Sequence, residues 1–269
     1  MLGLGGYTSL IEPNQISVEE VRICLPRLPQ AFEGLRVAQL SDLHYGPFTG
    51  DREINAAVDA VNSLAPDVAV LTGDYVTAPL YGTDVDPQRE NVQRCVAILA
   101  RISAPLGVFA ALGNHDLAVD AYFTGEVLRK HGLKVVRNNS LSVERDGARL
   151  WIAGVDDVLY GKPDLDRTLA DIPAGEAVIL LAHEPDFADQ VARYPVALQI
   201  SGHSHGGQVR LPLLGALYLP PLARKYPWGL RQLGHLYLYT NRGIGTIGLP
   251  VRLGAVPEVT LFSLHCPHA

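Results

Sequence analysis

A chain of 269 residues that is 48% hydrophobic can bury a sizeable core, and its length allows one large domain or two small ones. Its formal net charge of −6, with no lysine- or arginine-rich block, argues against a broad nucleic-acid surface but not against a small phosphorylated ligand held by metal. The cysteines Cys24, Cys95 and Cys266 are far apart, form no Cys-x-x-Cys pair, and read as thiols in a reducing compartment.

No run approaches the ~20 apolar residues of a membrane span. Met1-Leu2-Gly3-Leu4-Gly5-Gly6-Tyr7 has neither a basic n-region nor a long apolar h-region. It does not read as a signal peptide as it stands, and a missing N-terminal anchor is the open alternative. The expected location is cytoplasmic or peripheral to a membrane. Ile16, Val18, Val21 and Ile23, between Pro13 and Pro26, suggest an early edge strand. Residues 1–34 are thus expected to be an extension with an edge strand, and residues 35–269 the main domain, without a linker or repeat.

Leu35 to Leu40 is a short apolar run broken by Ser41-Asp42-Leu43-His44. Asp51 can cap a helix with Ile54, Val58, Val61 and Leu64 on one face, and Pro66 ends it. Val68–Leu71 reads as a buried strand running into Thr72-Gly73-Asp74. A second helix carries Val92, Val96, Leu99 and Ile102, and the strand Gly107–Leu112 then stops at Gly113-Asn114-His115-Asp116. Alternating strands and helices, with polar residues at each strand's carboxyl end, form the βαβ pattern that places ligands at those ends.

A helix around Phe123–His131, a strand at Leu133–Val136 and a hairpin turning at Asp146-Gly147 follow. A helix near Asp164–Ala170 precedes the strand Ala177–Ala182, which ends in His183-Glu184-Pro185-Asp186. Val196–Ile200 then runs into Ser201-Gly202-His203-Ser204-His205-Gly206. In an extended segment residues i and i+2 point the same way, so the His203 and His205 imidazoles can face one spot. Asp42 and His44 repeat that spacing. Leu236–Thr240 and Val256–Leu264 are strand-like, while His131, His235, His265 and His268 belong to no motif.

Five strand ends therefore carry Asp42, His44, Asp74, Asn114, His183, His203 and His205. Each alone has an ordinary explanation as a turn or capping residue. Together they form a mixed nitrogen and oxygen donor set that suits two divalent or trivalent first-row metals, with manganese, iron and zinc all compatible.

Asp42-x-His44, Gly73-Asp74, Gly113-Asn114-His115-Asp116, His183 and Gly202-His203-x-His205, in that order over residues 35–210, resemble the calcineurin-like metallophosphoesterases. Gly154-Val155-Asp156-Asp157, the His183 segment and Arg242-Gly243-Ile244-Gly245-Thr246 look like the bacterial, membrane-associated phosphodiesterases of that superfamily. The resemblance implies an α/β fold, a four-layer αββα sandwich of two packed mixed sheets flanked by helices, with a dimetal site at strand carboxyl ends. It also implies one metal on Asp42, His44, Asp74 and His205, and another on Asp74, Asn114, His183 and His203. Asp74 would bridge the two, and His115 would contact the phosphate and protonate the leaving oxygen. The implied activity is in-line attack by a metal-bridging hydroxide on phosphodiesters or lipid-linked pyrophosphates. Broad phosphomonoesterase activity, a metal-containing scaffold and a nuclease are the alternatives. Val76-Thr77-Ala78-Pro79 stands where the protein phosphatase branch has an Asp-Arg pair, so the aspartate that orients the histidine there and the phosphate-binding arginine are absent.

Residues 211–222 are apolar and broken by prolines, with Arg224, Lys225, Tyr226 and Trp228 behind them. One reading is a loop packed on the core. The other is an acyl-chain or membrane-facing lip spanning 211–228, with those four side chains at headgroup level. Arg242 is a candidate phosphate contact or a surface arginine, and Asp156, Asp157 and Glu184 are candidate supports or caps.

Overall fold

The computed structural model describes residues 3–79 and 85–267. Met1, Leu2 and His268 lie outside them. The described chain opens with a helical turn α1 (Leu4–Gly6), continued by turns at Tyr7–Ile11 and Glu12–Asn14, and enters β1 (Ser17–Cys24). Then β2 (Leu35–Leu40), α2 (Asp51–Ser63), β3 (Val68–Leu71), α3 (Asp86–Leu99), β4 (Val108–Ala110), α4 (Asn114–Lys130) and β5 (Lys134–Val135) complete the first half. These strands, with the last one of the chain, form a sheet of order β1-β14-β2-β3-β4-β5, in which β2, β3, β4 and β5 are parallel.

The second half contains β6 (Asn139–Arg145), β7 (Ala148–Gly154), α5 (Leu165–Leu169), β8 (Ala177–Leu181), α6 (Ala188–Val191) and β9 (Leu198–Ser201). It continues with β10 (Arg210–Leu211), β11 (Gly215–Ala216), β12 (Gly229–Leu233), β13 (Leu236–Thr240) and β14 (Glu258–His265). Its sheet runs β12-β13-β9-β8-β7-β6, while β10 and β11 pair as a separate hairpin.

Burial follows the period of two expected of strands covered on both faces. Val37, Val68, Val70 and Phe109 of the first sheet meet Ile152, Ile179, Leu181 and Ile200 of the second in a fully buried middle layer. The intervening residues Ala38, Leu40 and Leu71 pack outward on Ile54, Val58, Val92 and Val96 of α2 and α3. On the far side Trp151, Val178 and Leu180 pack on Leu165 of α5 and on Ala188 and Val191 of α6. Helices, sheet, sheet and helices make four layers, the expected αββα sandwich. All three cysteines are free, and among the described residues no helix is long and apolar enough to cross a membrane.

Three local readings change. The helix expected around Phe123 begins at Asn114, directly on the polar motif, and non-helical dihedrals at Asp120 interrupt it. Asp116 makes that start possible by accepting from the backbone N–H of Gly113 at 2.9 Å, so the turn-like Gly-Asn-His-Asp is a helix N-terminus. Residues 229–233, given no element from the sequence, form the edge strand β12.

Arg242 is not a free phosphate contact. It pairs with Glu258 at 2.6 Å and Glu19 at 2.5 Å, which commits its guanidinium to the sheet.

Candidate metal centre

All seven candidate donors sit where β2, β3, β4, β8 and β9 end, so both sheets deliver side chains to one place. Six of them are at most 6% exposed, and Asn114 is 9% exposed. The period-two argument reached this convergence for a reason the backbone does not bear out. Asp42, His44, Asp74, His203 and His205 are not extended; their φ angles are 50°, 46°, 57°, 66° and 50°. Left-handed backbone at a non-glycine residue costs on the order of 1–2 kcal/mol, so five such residues in one rim are held by their surroundings.

Those surroundings are specific. Asp116 also accepts from the N–H of Asp74 at 2.8 Å and of Tyr75 at 2.9 Å, fixing the Gly73-Asp74 turn. The Ser41 hydroxyl donates to Asp42 at 2.6 Å, and the His203 N–H donates to both Asp42 carboxylate oxygens at 3.0 Å. A Cβ on Gly202 would collide with Ser41 and Asp42, and one on Gly113 would collide with the Asp74 carboxylate. The glycines let backbone approach carboxylate.

Arg252 went unremarked in the sequence. It is fully buried, and its guanidinium donates to the carbonyls of Arg242, Gly243, Gly245 and Ala255, at 2.5–3.2 Å. The loop it clamps donates from Ile244 N–H to the Ser41 carbonyl at 3.1 Å and from Gly245 N–H to the Asp42 carbonyl at 2.8 Å. An arginine inside an otherwise apolar, glycine- and proline-bounded stretch was the only signal available.

Donor chemistry tests whether a metal fits. The His183 Nδ1 lies 2.7 Å from the Thr72 carbonyl, and the His203 Nε2 lies 3.0 Å from the Pro221 carbonyl. A carbonyl can only accept, so these nitrogens carry the ring protons, and the bare lone pairs of the neutral rings are His183 Nε2 and His203 Nδ1. His183 Nε2 faces an Asp74 carboxylate oxygen at 3.1 Å, a contact that requires either a proton on the ring nitrogen or a cation between the two. His44 Nε2 and His205 Nε2 stand 3.0 Å apart, and His205 Nε2 is 3.4 Å from Asp42. The Asn114 Oδ1 is buried without a partner. Asp42, His44 and His205 form one group of donors within 4.8 Å of one another, and Asp74, His183 and His203 form another. Buried nitrogen and oxygen donors packed this closely suit cations between them.

The charge states agree. Burial, then the neighbouring His115, takes His44 down to about 3, and burial with His183 takes His203 down to about 4. Burial and His44 drive His205 well below its ordinary value, so these three rings are neutral and ready to ligate. Burial pushes Asp42 up to about 6 against the pull of His183. Burial also opposes charge on Asp74 and His183, but each overrules it for the other: Asp74 is held well below and His183 well above the ordinary value. Asp74 and His183 hold a shared proton between them that a metal would replace.

The calcineurin-like phosphoesterase profile matches residues 35–207. The chain belongs to the calcineurin-like phosphoesterase family. It is 35% identical over 263 residues to the uncharacterized metallophosphoesterase YkuE of Bacillus subtilis, covering 96% of this chain and 89% of that protein. It is 30% identical to the phosphodiesterase YaeI of Escherichia coli, covering 96% and 92%. Similarity at 27% identity extends to the UDP-2,3-diacylglucosamine pyrophosphatase LpxG of Chlamydia trachomatis, covering 95% and 91%. The chain is therefore a metal-dependent phosphoester hydrolase with a dimetal-type donor cluster.

His115 stands beside the donors, its ring edge-on to His44 with centroids 4.7 Å apart. Among the described residues no aspartate bonds its ring. Instead the Ala78 N–H donates to its Nδ1 at 2.9 Å, which leaves the proton of the neutral ring on Nε2. The motif gap at Val76–Pro79 is thus filled by backbone. The donors floor a cleft of about 620 Å³ whose further walls include Leu159, Val209, Leu217, Tyr218, Pro221 and Ile247. Asp156 is tied to Arg137 at 2.6 Å, while Glu184 accepts from Val158 N–H and Asp157 from Tyr160 N–H, so all three brace loops next to the floor.

Proposed function

We propose that this chain hydrolyses phosphodiesters, with lipid-linked pyrophosphates among its substrates, at a dinuclear centre. Asp42, His44, Asp74 and His205 hold one metal, and Asp74, Asn114, His183 and His203 hold the other. The observation that carries the reading is the convergence of two buried nitrogen and oxygen donor groups, with the His183 and His203 rings oriented by the Thr72 and Pro221 carbonyls. When bound, the metals supply Lewis-acid charge to the phosphoryl oxygens and a water acidified enough to attack phosphorus in line.

The chain's own residues do the rest. Asp74 accepts from the His115 backbone N–H at 2.9 Å, so the carboxylate that lies between His44 and His183 also sets the position of His115. The Nε2–H of His115 is free to donate to the leaving oxygen, where charge develops. Thr72 and Pro221 fix two ring orientations, and Ser41 and the His203 N–H fix the Asp42 carboxylate.

Diesters are favoured over monoesters because no lysine or arginine lines the cleft among the described residues. A monoester dianion would bring charge that no side chain there offsets. The apolar walls suit an acyl or other hydrophobic group beside the phosphate. The named substrate of the Chlamydia relative, a diacylated sugar nucleotide, supports the same choice. Activity against matched aryl diesters and monoesters, measured on protein of known metal content, tests the reading. Turnover of diesters above monoesters is expected, and a monoester preference would replace it with the phosphomonoesterase alternative.

A further inference from the structure

Charge is distributed very unevenly along this chain. Between Asp189 and Glu258 there is no acidic residue and there are seven basic ones, so the remaining chain sets 15 basic against 28 acidic residues. The acid-free stretch builds the outer lip of the cleft: the hairpin β10–β11, residues 217–222 and the loop 247–253.

The apolar side chains of this lip point into solvent. Leu213 is fully exposed, and Leu214, Leu217, Tyr218 and Leu249 are 60–76% exposed. They belong to one bonded unit. Gln208 donates to the carbonyls of Ile247 and Leu249, Leu217 N–H donates to Val209, and Arg210 N–H donates to Leu253. The N-terminal turn joins the unit, since Arg252 N–H donates to the Thr8 carbonyl, and it adds exposed Leu4 and Leu10. Behind the leucines, the Arg210 guanidinium lies 3.4 Å over the Trp228 ring. The Arg224 backbone N–H donates to Asp186 at 3.0 Å, but its guanidinium bonds no carboxylate among the described residues and reaches the Leu219 carbonyl at 3.4 Å. Lys225 and Tyr226 are not part of this group, because both are tied to Asp189.

Large apolar side chains exposed together on one hydrogen-bonded unit call for a cover. Leucines at the tip, with an aromatic ring and two guanidinium groups that pair with no carboxylate behind them, on a stretch without an acidic residue of its own, match the interface of an anionic bilayer. A second copy of the chain would bring the same unbalanced positive charge to the contact, which opposes a symmetric dimer through this face.

We propose that the lip is a docking surface for an anionic lipid bilayer, in which Leu213, Leu214 and Leu249 enter the acyl boundary. Docking turns the cleft mouth, rimmed by Leu217 and Tyr218, toward the lipid. The inference deepens the lipid-linked substrate reading, but docking is measured without turnover, so either can fail alone.

The test uses the full chain, sedimented with phosphatidylcholine vesicles made with and without phosphatidylglycerol. Binding to the anionic vesicles, weakened by salt, is expected. Leu213→Glu combined with Leu214→Glu should cut the bound fraction at least ~10-fold, because two carboxylates would have to enter the apolar boundary. Turnover of a soluble aryl phosphodiester should stay within ~2-fold, since neither residue lines the cleft. Leu249→Glu, on a different loop, should weaken binding in the same direction. The proposal is overturned if the wild-type chain ignores anionic vesicles at low salt, or if the double variant binds them as the wild type does. It is equally overturned if the lip proves to be buried in a dimer that the double variant dissociates. Intact docking with no hydrolysis of lipid-linked substrates would instead refute only the substrate reading.

Discussion

The floor and the lip of one cleft are built on opposite rules. The floor is polar, buried and held by several bonds per residue, with five donors kept in left-handed backbone that none would adopt alone. The lip is apolar, exposed and carried on a hairpin of two-residue strands with Leu213 at its tip. Strain can be stored only where neighbours over-determine a residue, so the chemistry sits on the floor. Contact with an apolar partner requires side chains that are not already satisfied, so recognition falls to the lip. Changes on the floor should therefore alter metal content or rate on every substrate, and changes on the lip should alter only which substrates are reached.

The sharpest division lies within the floor. His115→Ala should keep its metal and lose roughly 10²–10⁴-fold in turnover on all phosphodiesters, as expected when a proton-donating group beside the leaving oxygen is removed. Elemental analysis alongside the rate constant checks it. Full activity in that variant would remove His115 from the chemistry.

Two supporting residues should show their effect as stability. Asp116→Ala strands three buried N–H groups and should cost about 2–4 kcal/mol in denaturant unfolding, with weaker metal binding because the Asp74 turn loosens. Arg252→Met should cost a similar ~2–4 kcal/mol, since four carbonyls lose its guanidinium and those of Gly245 and Ala255 are buried. Metal affinity separates the two accounts of Arg252. If it only packs, metal binding per folded molecule stays unchanged. If it positions the Asp42 loop, affinity falls as well.

On the lip side of the cleft, Leu217→Ala with Tyr218→Ala should raise KM for acylated substrates about 3–10-fold, with soluble aryl diesters little affected. An equal loss on both substrate types would merge lip with floor and undo the contrast.

The smallest expected effect is on pH. In the metal-free fold Asp42 is raised to about 6, above its ordinary 3.8. A raised carboxyl binds more protons folded than unfolded, so its contribution to stability is lost as pH rises from 3.8 through 6. Bound metal replaces that proton. The melting-temperature difference between metal-loaded and chelated protein should therefore grow from about pH 5 to about pH 7.5. A difference that shrinks over that range would contradict the charge states given for the floor.

Much of this was legible before any coordinates. The spacing of Ile54, Val58 and Val61, and the short runs at Leu35–Leu40 and Val68–Leu71, mark helix and strands because packing repeats with the period of each element. Polar residues where each run stops mark the rim. Other features could not be read because they arise from long-range contacts. That Asp116 caps a helix and also ties down the Asp74 turn depends on residues about forty positions apart meeting across a sheet. Arg242 looked available until its partners Glu19 and Glu258 were brought beside it by pairing of the first and last strands. The left-handed donors follow from turns whose glycines were visible but whose φ angles were not.

The most direct test of the dinuclear account is metal stoichiometry coupled to turnover, on protein stripped with chelator and titrated back with manganese, iron or zinc. The account predicts activity that appears as the second equivalent binds, and that disappears together with the metal in Asp74→Asn, because the Asp74 carboxylate lies 3.6 Å from His44 of one donor group and 3.1 Å from His183 of the other. Full turnover with one equivalent bound, or in Asp74→Asn, would contradict it.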